Sequence, residues 1–223
     1  MCILAIIPAK KFSKRLKNKN FKKLKNRPIY KYTLNNLILS KLFDKIHISS
    51  NVLIEKKYQD FIRPNNLCKN NTSLLEVIHW SLNKLKKQGQ IFDVVCLAYA
   101  TSPLINQSDF IKAYNKFKES DKKFPLISVC KFSPSIDEAM IKDGKHIKII
   151  DERKFIMDSK KHKDYYFETG SFIFYSTLPF YDSKFSNFEK FNKFIPFELS
   201  REKSVDINTI DDFKFLRKLS DLK

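Results

Sequence analysis

The sequence predicts an α/β fold built on a mostly parallel sheet, with helices on both faces and a small β excursion. Segments 2–8 and 92–98 are almost uninterrupted apolar runs of strand length, which is typical of parallel strands buried on both faces. Segments of helical periodicity follow such runs, so strand and helix alternate, and right-handed crossovers then place helices on both faces. The length of 223 residues suits one domain, and nothing indicates a second independent unit.

The elements can be placed in order from apolar periodicity and from residues that favour a helix start. Pro28, the polar turn 70–73 and Thr209 each precede a segment of helical periodicity. Segment 131–164 interrupts the alternation, and its apolar stretch 147–150 indicates one strand of a hairpin. Besides the two apolar runs, strands are predicted at 45–51, 124–130, 165–175 and 194–199, and helices at 29–42, 74–85, 106–118 and 209–219.

The charge is weak evidence for nucleic-acid binding. The net charge is +19, but only six of the 43 basic residues are arginine, and the lysines are spread along nearly the whole chain. Segment 180–194 alternates aromatic residues with lysines, which is compatible with a stacking surface for single-stranded nucleic acid. Its phenylalanines recur every third position from Phe185 to Phe194, which favours a buried helix or turn face. A positive field also suits anionic substrates.

Cysteine usage and hydropathy predict a cytoplasmic protein. Cys2, Cys68, Cys96 and Cys130 are far apart, form no Cys-x-x-Cys pair and are expected to be reduced. The four histidines are equally scattered, so no zinc site is expected. The longest apolar run is too short to span a bilayer, and the apolar start without a preceding basic stretch predicts no signal peptide and no membrane partner.

The first predicted strand ends at Pro8 and passes directly into a basic loop. Six of the ten positions from 10 to 19 carry lysine or arginine. Mutual repulsion makes such a loop costly unless an anion neutralises it, so the loop predicts a site for an anionic ligand, with a polyphosphate as the first candidate. A solvated basic tail on an edge strand is the alternative.

Polar residues mark the ends of other predicted strands. Ser49, Ser50 and Asn51 close the second strand, and the motif 99–104 closes the central run 92–98. In an open α/β sheet ligands bind at the carboxyl ends of the strands. Gly170 is one of only three glycines, which indicates a backbone requirement there, either a positive φ or a close approach of substrate.

The segment 6–20 resembles the opening signature of the acylneuraminate cytidylyltransferases, which activate nine-carbon acidic sugars. Lys10 stands where that signature has an arginine, and Lys11 and Phe12 replace two glycines that let backbone amides approach a triphosphate. The loop therefore keeps its charge while its shape is expected to differ. The residues in register with the signature are Pro8, Ala9, Ser13, Lys14, Arg15, Lys19 and Asn20.

Further motifs of the same family follow in order along nearly the whole chain. Arg63-Pro64 with Leu67 matches its Arg-Pro-x-x-Leu element, and the segments 99–104, 132–140 and 165–175 resemble its pseudaminic acid branch. The closing segment 203–213 resembles its Asp-x-Asp motif, with Asn208 in place of the second aspartate. In the family the two aspartates hold Mg²⁺, and because the amide of Asn208 brings no charge, metal binding is expected to be weaker here.

The resemblance implies a three-layer, Rossmann-like fold of the nucleotide-diphospho-sugar transferase type, with roles for particular residues. Lys10, Lys19 and Asp206 are the expected catalytic residues, and Asp206 with Asn208 would hold Mg²⁺ against the phosphates of CTP. The nucleotide-binding set is Pro8, Ala9, Lys10, Ser13, Lys14, Lys19 and Asn20, and the sugar-binding set is Thr101, Ser102, Glu168 and Gly170. The excursion 131–164 is expected to serve the sugar and a homodimer contact.

The resemblance thus implies transfer of CMP from CTP to pseudaminic acid or a related acidic sugar, with release of pyrophosphate, for glycosylation of surface glycans or flagellin. Two other classes stay open. A non-catalytic relative that binds nucleotide or a protein partner would account for the substituted motif residues together. A basic nucleic-acid-binding protein would account for the charge but fits the order of the motifs poorly.

Overall fold

The computed structural model describes residues 1–120, 122–182 and 191–221. Its strands are β1 (Ile3–Pro8), β2 (Lys23–Leu24), β3 (Arg27–Pro28), β4 (Lys45–Ser49), β5 (Val94–Ala98), β6 (Leu126–Lys131), β7 (Met140–Asp143), β8 (His146–Ile149), β9 (Tyr166–Ser176) and β10 (Ile195–Glu198). Its helices are α1 (Ile29–Ser40), α2 (Leu74–Lys86), α3 (Gln107–Glu119), α4 (Glu152–Phe155), α5 (Leu178–Tyr181) and α6 (Ile210–Asp221). The predicted buried face around Phe185 and Phe188 lies outside the described residues.

The main sheet has the strand order β10-β6-β9-β5-β1-β4. β1 pairs in parallel with β4 and β5, and β6 pairs in parallel with β10, which confirms a mostly parallel sheet. β9 runs antiparallel to both of its neighbours, which the alternation of strands and helices did not predict. The chain reaches β9 through the excursion rather than through a crossover helix, and only parallel neighbours require such a crossover.

Two apolar cores cover the two faces of this sheet. Along β1, Ile3, Ala5 and Ile7 join a cluster with residues of α1 and α3, whereas Leu4 and Ile6 join a cluster with residues of α2. This alternation follows from the period of two along a strand, and it shows why the run is apolar at every position. The fold is therefore a three-layer α/β sandwich, as predicted.

A third apolar cluster joins the basic loop to the end of the chain. Leu16 from the loop packs in one cluster with Leu24, Ile207 and residues of α6, among them Phe213 and Leu216. All five side chains are at least nine-tenths buried. This packing holds the segment around Ile207 beside the loop, although nearly the whole chain separates the two in sequence.

The excursion forms its own two-stranded antiparallel sheet, in which Met140 of β7 pairs with Ile149 of β8. The buried carboxylate of Asp137 anchors its base, because it accepts a hydrogen bond from the Tyr165 hydroxyl at 3.1 Å and pairs with the Lys154 ammonium at 3.3 Å. Among the described residues, no helix is both long enough and apolar enough to cross a membrane.

Candidate active site

A cavity of about 510 Å³ opens where β1 and β5 end, at the carboxyl edge of the parallel strands. We call it the basic cavity, because the charged side chains that line it are all cationic. These are Lys10, Lys14, Arg15, Lys19, Arg63 and Lys69, and the polar lining adds Ser13, Asn20, Asn70, Thr72 and Thr101. The concentration of positive charge matches the polyphosphate site that the loop predicts.

The basic loop is held in place by hydrogen bonds to its backbone. The Ala9 N–H donates to the Ser49 carbonyl at 2.9 Å, the Lys11 N–H to Asn51 Oδ1 at 3.0 Å, and the Asn20 side-chain amide to the Lys10 carbonyl at 2.9 Å. The first two bonds connect the loop to the end of β4, and the third connects the end of the loop to its start. Asn20 thus has a clear structural role besides lining the cavity.

The two positions where the family pattern has glycine do not use a glycine-only conformation. Among the described residues, a positive φ at a non-glycine residue occurs only at Asn18, Lys25, Asn26, Lys41 and Lys122. Lys11 and Phe12 therefore adopt backbone angles open to any residue, and their exposed side chains lie outside the lining of the basic cavity. The substitutions leave this loop unstrained at both positions.

Arg63 is the strongest site residue that the sequence did not assign. Its side chain lines the basic cavity although the residue is only 3% exposed, and its Nε and Nη2 find no hydrogen-bond partner among the described residues. Burial lowers the pKa of the guanidinium, with the contact to Cys68 acting in the opposite direction. A buried cation with unused donors is costly unless an anion reaches it. The Arg63-Pro64 motif was the signal that could have found it.

Lys19, which lines the basic cavity, meets Asp206 and Asn208. The Lys19 ammonium lies 3.9 Å from Asp206 Oδ1 and 3.4 Å from Asn208 Oδ1. Burial lowers the pKa of Lys19, while Asp206 acts to raise it. The side-chain amide of Asn208 donates to Asp206 Oδ2 at 2.5 Å, and its backbone N–H donates to Asp212 at 2.8 Å. The sequence placed these three residues in one site, and the structure brings them together.

These residues fit a metal ion only in part. Asp206 is the one carboxylate of the pair, and the Asn208 amide donates to one of its two oxygens. Among the described residues, no group of three or more histidine, cysteine, aspartate or glutamate side chains could hold a metal ion. Magnesium prefers several oxygen ligands and is commonly held by one or two carboxylates together with substrate phosphates. The donor set therefore suits an ion that arrives with a polyphosphate, and not a resident ion.

Gly170 satisfies the backbone requirement that the sequence indicated. Its φ is +60°, and a Cβ at this position would lie 3.6 Å from Cγ of Asp206. The Ser102 hydroxyl donates to the Gly170 carbonyl at 3.0 Å. Gly170 and Ser102 thus fix the backbone that faces Asp206, and neither of them lines the basic cavity.

A second cavity of about 240 Å³ adjoins the first, and Leu74 and Tyr99 line both. We call it the apolar cavity; its lining is Leu74, Leu75, Leu97, Tyr99, Ile127, Glu168, Ile173, Tyr175, Phe191 and Phe194. Glu168 is the only charged residue in this set, and its Oε1 accepts a hydrogen bond from the Tyr99 hydroxyl at 3.2 Å. Burial is the main cause that raises the pKa of both Tyr99 and Tyr175, and the negative charge of Glu168 raises it further. Both phenols are therefore hydrogen-bond donors at neutral pH.

The expected site residues thus divide among four places. Pro8, Lys10, Ser13, Lys14, Lys19, Asn20 and Thr101 line the basic cavity, and Glu168 lines the apolar cavity. Asp206 and Asn208 lie beside Lys19, and Gly170, with Ser102 bonded to its carbonyl, lies beside Asp206. Ala9 is fully buried behind the loop and contributes its backbone to the sheet edge.

A three-layer α/β fold with a cationic cavity at the carboxyl ends of its strands defines the class of α/β proteins that can bind an anionic ligand, such as a nucleotide, at that edge of the sheet. Comparison with known proteins narrows this class. A family model described as "Cytidylyltransferase" matches residues 4–223. The chain therefore belongs to the cytidylyltransferase family, a family of CTP-dependent nucleotidyltransferases.

Individual relatives agree with this assignment. A pseudaminic acid cytidylyltransferase of Campylobacter jejuni is 30% identical over 96% of this chain and 94% of its own length. Among solved structures, CMP:2-keto-3-deoxy-manno-octonic acid synthetase complexed with CTP superposes with a TM-score of 0.72 at 11% identity, over 100% of this chain and 99% of that one. The 4-diphosphocytidyl-2C-methyl-D-erythritol synthase of Anaerococcus prevotii superposes with a TM-score of 0.60 at 16% identity, over 99% of this chain and 98% of that one. The two structures share the fold.

Proposed function

We propose that this protein transfers CMP from CTP to a nine-carbon acidic sugar, pseudaminic acid or a related nonulosonic acid, and releases pyrophosphate. The observation that carries the proposal is the basic cavity, where six cationic side chains converge at the carboxyl ends of β1 and β5. A triphosphate supplies the negative charge that this cavity needs, and the relative in Campylobacter jejuni supports the acceptor. Such a product would serve the glycosylation of surface glycans or flagellin.

In this reaction the anomeric hydroxyl oxygen of the sugar forms a bond to the α-phosphorus of CTP. The bond from that phosphorus to the oxygen that bridges to the β-phosphate breaks, pyrophosphate leaves, and the hydroxyl proton passes to solvent. Catalysis is then mainly positioning and charge neutralisation. Lys10, Lys19 and Arg63 would neutralise the triphosphate, with Ser13, Lys14 and Asn20 lining it.

Mg²⁺ enters this proposal as an ion that CTP brings with it. When bound, it supplies positive charge against the phosphate oxygens. Asp206 would offer it one protein carboxylate, and Lys19 would supply further positive charge beside it. The Asn208 side chain would orient Asp206 through its amide.

Pyrophosphate release tests the proposal. The purified protein is given CTP and Mg²⁺ with pseudaminic, legionaminic or N-acetylneuraminic acid, each added separately. We expect release with at least one acid. Lys10→Ala should lower kcat/KM for CTP at least tenfold, because Lys10 lines the basic cavity, whereas Lys11→Ala removes an exposed neighbour outside the lining and should leave it unchanged.

The same experiment separates the other classes of protein. CTP binding without release from any acid would identify a non-catalytic relative. Affinity for DNA that falls steeply with salt, without CTP binding, would identify a nucleic-acid-binding protein. Either result would contradict the proposed transfer.

We further propose that two copies of the chain pair through the excursion. Several large apolar side chains of this segment are exposed, among them Ile141 at 58%, Ile147 at 70% and Ile156 at 82%. Ile147→Glu should convert a dimer to a monomer in analytical ultracentrifugation, whereas Leu53→Glu changes a similarly exposed side chain elsewhere and should leave the dimer intact. A monomeric wild-type protein would overturn this pairing.

We also propose a cytoplasmic location. The structure has free thiols at Cys2, Cys68, Cys96 and Cys130, as a reducing compartment keeps them. Cell fractionation tests this location. Recovery of the protein outside the cytoplasmic fraction, with two of these cysteines oxidised to a disulfide, would contradict it.

A further inference from the structure

Cys68 lies in the wall of the basic cavity, between two residues that line it. Its neighbours in sequence, Leu67 and Lys69, both belong to the lining. Cys68 ends a single helical turn (Asn65–Cys68), and its carbonyl accepts a hydrogen bond from the Lys10 ammonium at 3.1 Å. The residue is partly exposed, and its thiol takes part in no disulfide. This position makes Cys68 a candidate for chemical modification beside the site.

A buried cation contacts the Cys68 side chain. Burial lowers the pKa of the Arg63 guanidinium, and the contact with Cys68 acts in the opposite direction, as a negative charge on the sulfur does. Nε and Nη2 of this guanidinium have no hydrogen-bond partner among the described residues, although the residue is buried. Unpaired donors on a buried cation are costly, so they favour a negatively charged oxygen close to the sulfur.

The other three cysteines provide internal comparisons. Cys96 is fully buried and Cys130 is only 4% exposed, so both are shielded from reagents in the folded protein. Cys2 is exposed and precedes β1, at the end of the strand opposite to the basic cavity. Its N–H donates to the carboxylate of Asp93 at 2.7 Å. Cys2 is thus more exposed than Cys68 and lies in a different electrostatic environment.

We propose that Cys68 is a site of reversible oxidation by hydrogen peroxide, and that the sulfenate formed there accepts hydrogen bonds from the unpaired donors of Arg63. The Cys68 sulfur, as a thiolate, attacks one oxygen of the peroxide. A sulfur–oxygen bond forms, the oxygen–oxygen bond breaks, and hydroxide leaves. The hydroxide takes the proton of the new sulfenic acid and becomes water. The sulfur loses two electrons, which the peroxide gains, and a small thiol reverses the oxidation.

Arg63 explains why this cysteine is favoured over a more exposed one. Negative charge develops on the leaving oxygen during the reaction and stays on the sulfenate afterwards. A fixed cation with unpaired N–H groups stabilises both, because charge-assisted hydrogen bonds are strong and the donors need no rearrangement. Lys10 and Lys69 add positive charge on the same side of the cavity. Exposure alone would favour Cys2.

Oxidation of Cys68 should oppose nucleotide binding. The sulfenate occupies donors of Arg63 that line the basic cavity, and its negative charge repels a polyphosphate there. Bound CTP should in turn shield the sulfur from peroxide. This consequence for CTP rests on the proposed function, whereas the oxidation itself does not.

Trapping of the sulfenic acid with dimedone tests the site of oxidation. Wild-type protein is treated with hydrogen peroxide and dimedone, and the labelling rate of each cysteine is followed by peptide mass spectrometry. We expect Cys68 to be labelled at least tenfold faster than Cys2. Arg63→Met should slow the labelling of Cys68 at least tenfold, whereas Arg201→Met, at an exposed position, should not change it. Labelling of Cys2 at an equal or higher rate, or an unchanged rate for Cys68 in Arg63→Met, would overturn the proposal.

Calorimetric titration with CTP tests the consequence for the cavity. Peroxide treatment of wild-type protein should weaken CTP binding at least tenfold, and dithiothreitol should restore it. Cys68→Ala should keep its affinity for CTP after peroxide treatment, whereas Cys2→Ser should lose it as the wild type does. Saturating CTP should slow the labelling of Cys68 at least tenfold and leave that of Cys2 unchanged. An equal loss of affinity in Cys68→Ala would show that oxidation at another residue acts on the cavity.

The outcomes separate this inference from the proposed function. Pyrophosphate release by wild-type protein in which Cys68 is labelled no faster than Cys2 would overturn the oxidation site while the transferase reaction stands. Absence of CTP binding by the reduced wild-type protein would overturn the proposed function. Faster labelling of Cys68 that depends on Arg63 would still support the oxidation site in that case.

Discussion

Asn208 controls how much negative charge faces the basic cavity. Its side-chain amide donates to Asp206, and its backbone N–H donates to Asp212. An aspartate here would place a second carboxylate beside Asp206, and repulsion between the two would favour a divalent cation. The amide instead holds Asp206 by a hydrogen bond, so position 208 adds no second negative charge beside Asp206.

Asn208→Asp should therefore create metal binding by the protein without nucleotide. We expect no tight Mn²⁺ binding by the wild-type protein alone, and at least a tenfold increase in affinity in the variant, measured by electron paramagnetic resonance of free Mn²⁺. Asn35→Asp adds the same charge at an exposed position on α1 and should behave as wild type. Tight Mn²⁺ binding by wild-type protein without CTP would show that Asp206 with Asn208 already forms a resident site.

We predict that Arg63 lowers the free energy of unfolding of the protein and raises its affinity for CTP. Among the described residues, its buried guanidinium has no hydrogen-bond partner for Nε and Nη2, which costs stability. Arg63→Met should raise the free energy of unfolding without ligand, because it removes an uncompensated charge and keeps an apolar stem. The same change should weaken CTP binding roughly 10- to 100-fold, the value of one charge-assisted hydrogen bond.

Urea unfolding and calorimetric titration with CTP measure the two effects of Arg63→Met. Arg201→Met, at an exposed position, should change neither. If Arg63→Met lost stability and kept its CTP affinity, Arg63 would be a structural residue with an undetected partner.

Local sequence patterns predicted the types of side chain in the site better than their assembly. Lys10 and Lys19 follow from the density of positive charge in one loop. The meeting of Lys19 with Asp206 depends on the cluster that contains Leu16, Ile207 and Phe213, and no short-range pattern reveals such a contact. The resemblance to a family, and not periodicity, joined these residues in one prediction.

At the scale of single elements, α2 depends on a capping box at its first turn. The Glu76 N–H donates to the Ser73 hydroxyl at 3.1 Å, and the Ser73 N–H donates to the Glu76 carboxylate at 2.7 Å. The polar turn 70–73 predicted this start correctly. The cap fixes the position of Leu74 and Leu75, which line the cavities of the candidate site.

Ser73→Ala should lower the free energy of unfolding by about 1 kcal/mol, because it leaves an N-terminal N–H of α2 without its acceptor. Glu76→Gln keeps an acceptor oxygen for the reciprocal bond and should cost less. Urea unfolding compares the two variants. A loss from Glu76→Gln as large as that from Ser73→Ala would mean that the charge of Glu76, and not the cap, stabilises this turn.

The sequence predicted helix starts more reliably than strand direction. Caps and periodicity are local, so α2, α3 and α6 lie close to their predicted ranges. The direction of β9 depends on how the excursion folds back, and Val129 pairs with Glu168 only after a shift in register. The amino acids of a strand predict that it is a strand, but they do not predict its direction or its register with its neighbours.

At the scale of the whole molecule, response to acid depends on a buried histidine that lies outside both cavities. His47 on β4 is fully buried, and its Nδ1 lies 3.2 Å from Asp60 Oδ2. Burial lowers the pKa of His47, with Lys45 and Arg63 acting in the same direction and Asp60 against them. The hydrogen bond with His47 is the main cause that lowers the pKa of Asp60 from 3.8 to about 2.

The direction in which stability changes with pH follows from how readily the folded and the unfolded chain bind protons. A group whose pKa is lower in the folded state binds its proton more readily in the unfolded chain, so the fold loses stability as the pH falls. For His47 the loss begins as the pH falls below the ordinary value of 6.5, with a slope of at most about 1.4 kcal/mol per pH unit. For Asp60 a second loss follows between pH 3.8 and about 2.

Urea unfolding at pH 7.5 and at pH 5.5 should therefore show a smaller free energy of unfolding at the lower pH. His47→Gln removes the titrating group, so the difference between the two pH values should shrink whatever the variant costs in packing. His146→Gln, at an exposed position on β8, should keep the wild-type difference. If His47→Gln kept the full difference in the free energy of unfolding between the two pH values, other groups would cause the acid sensitivity. His47 would then contribute to stability through packing and not through its titration.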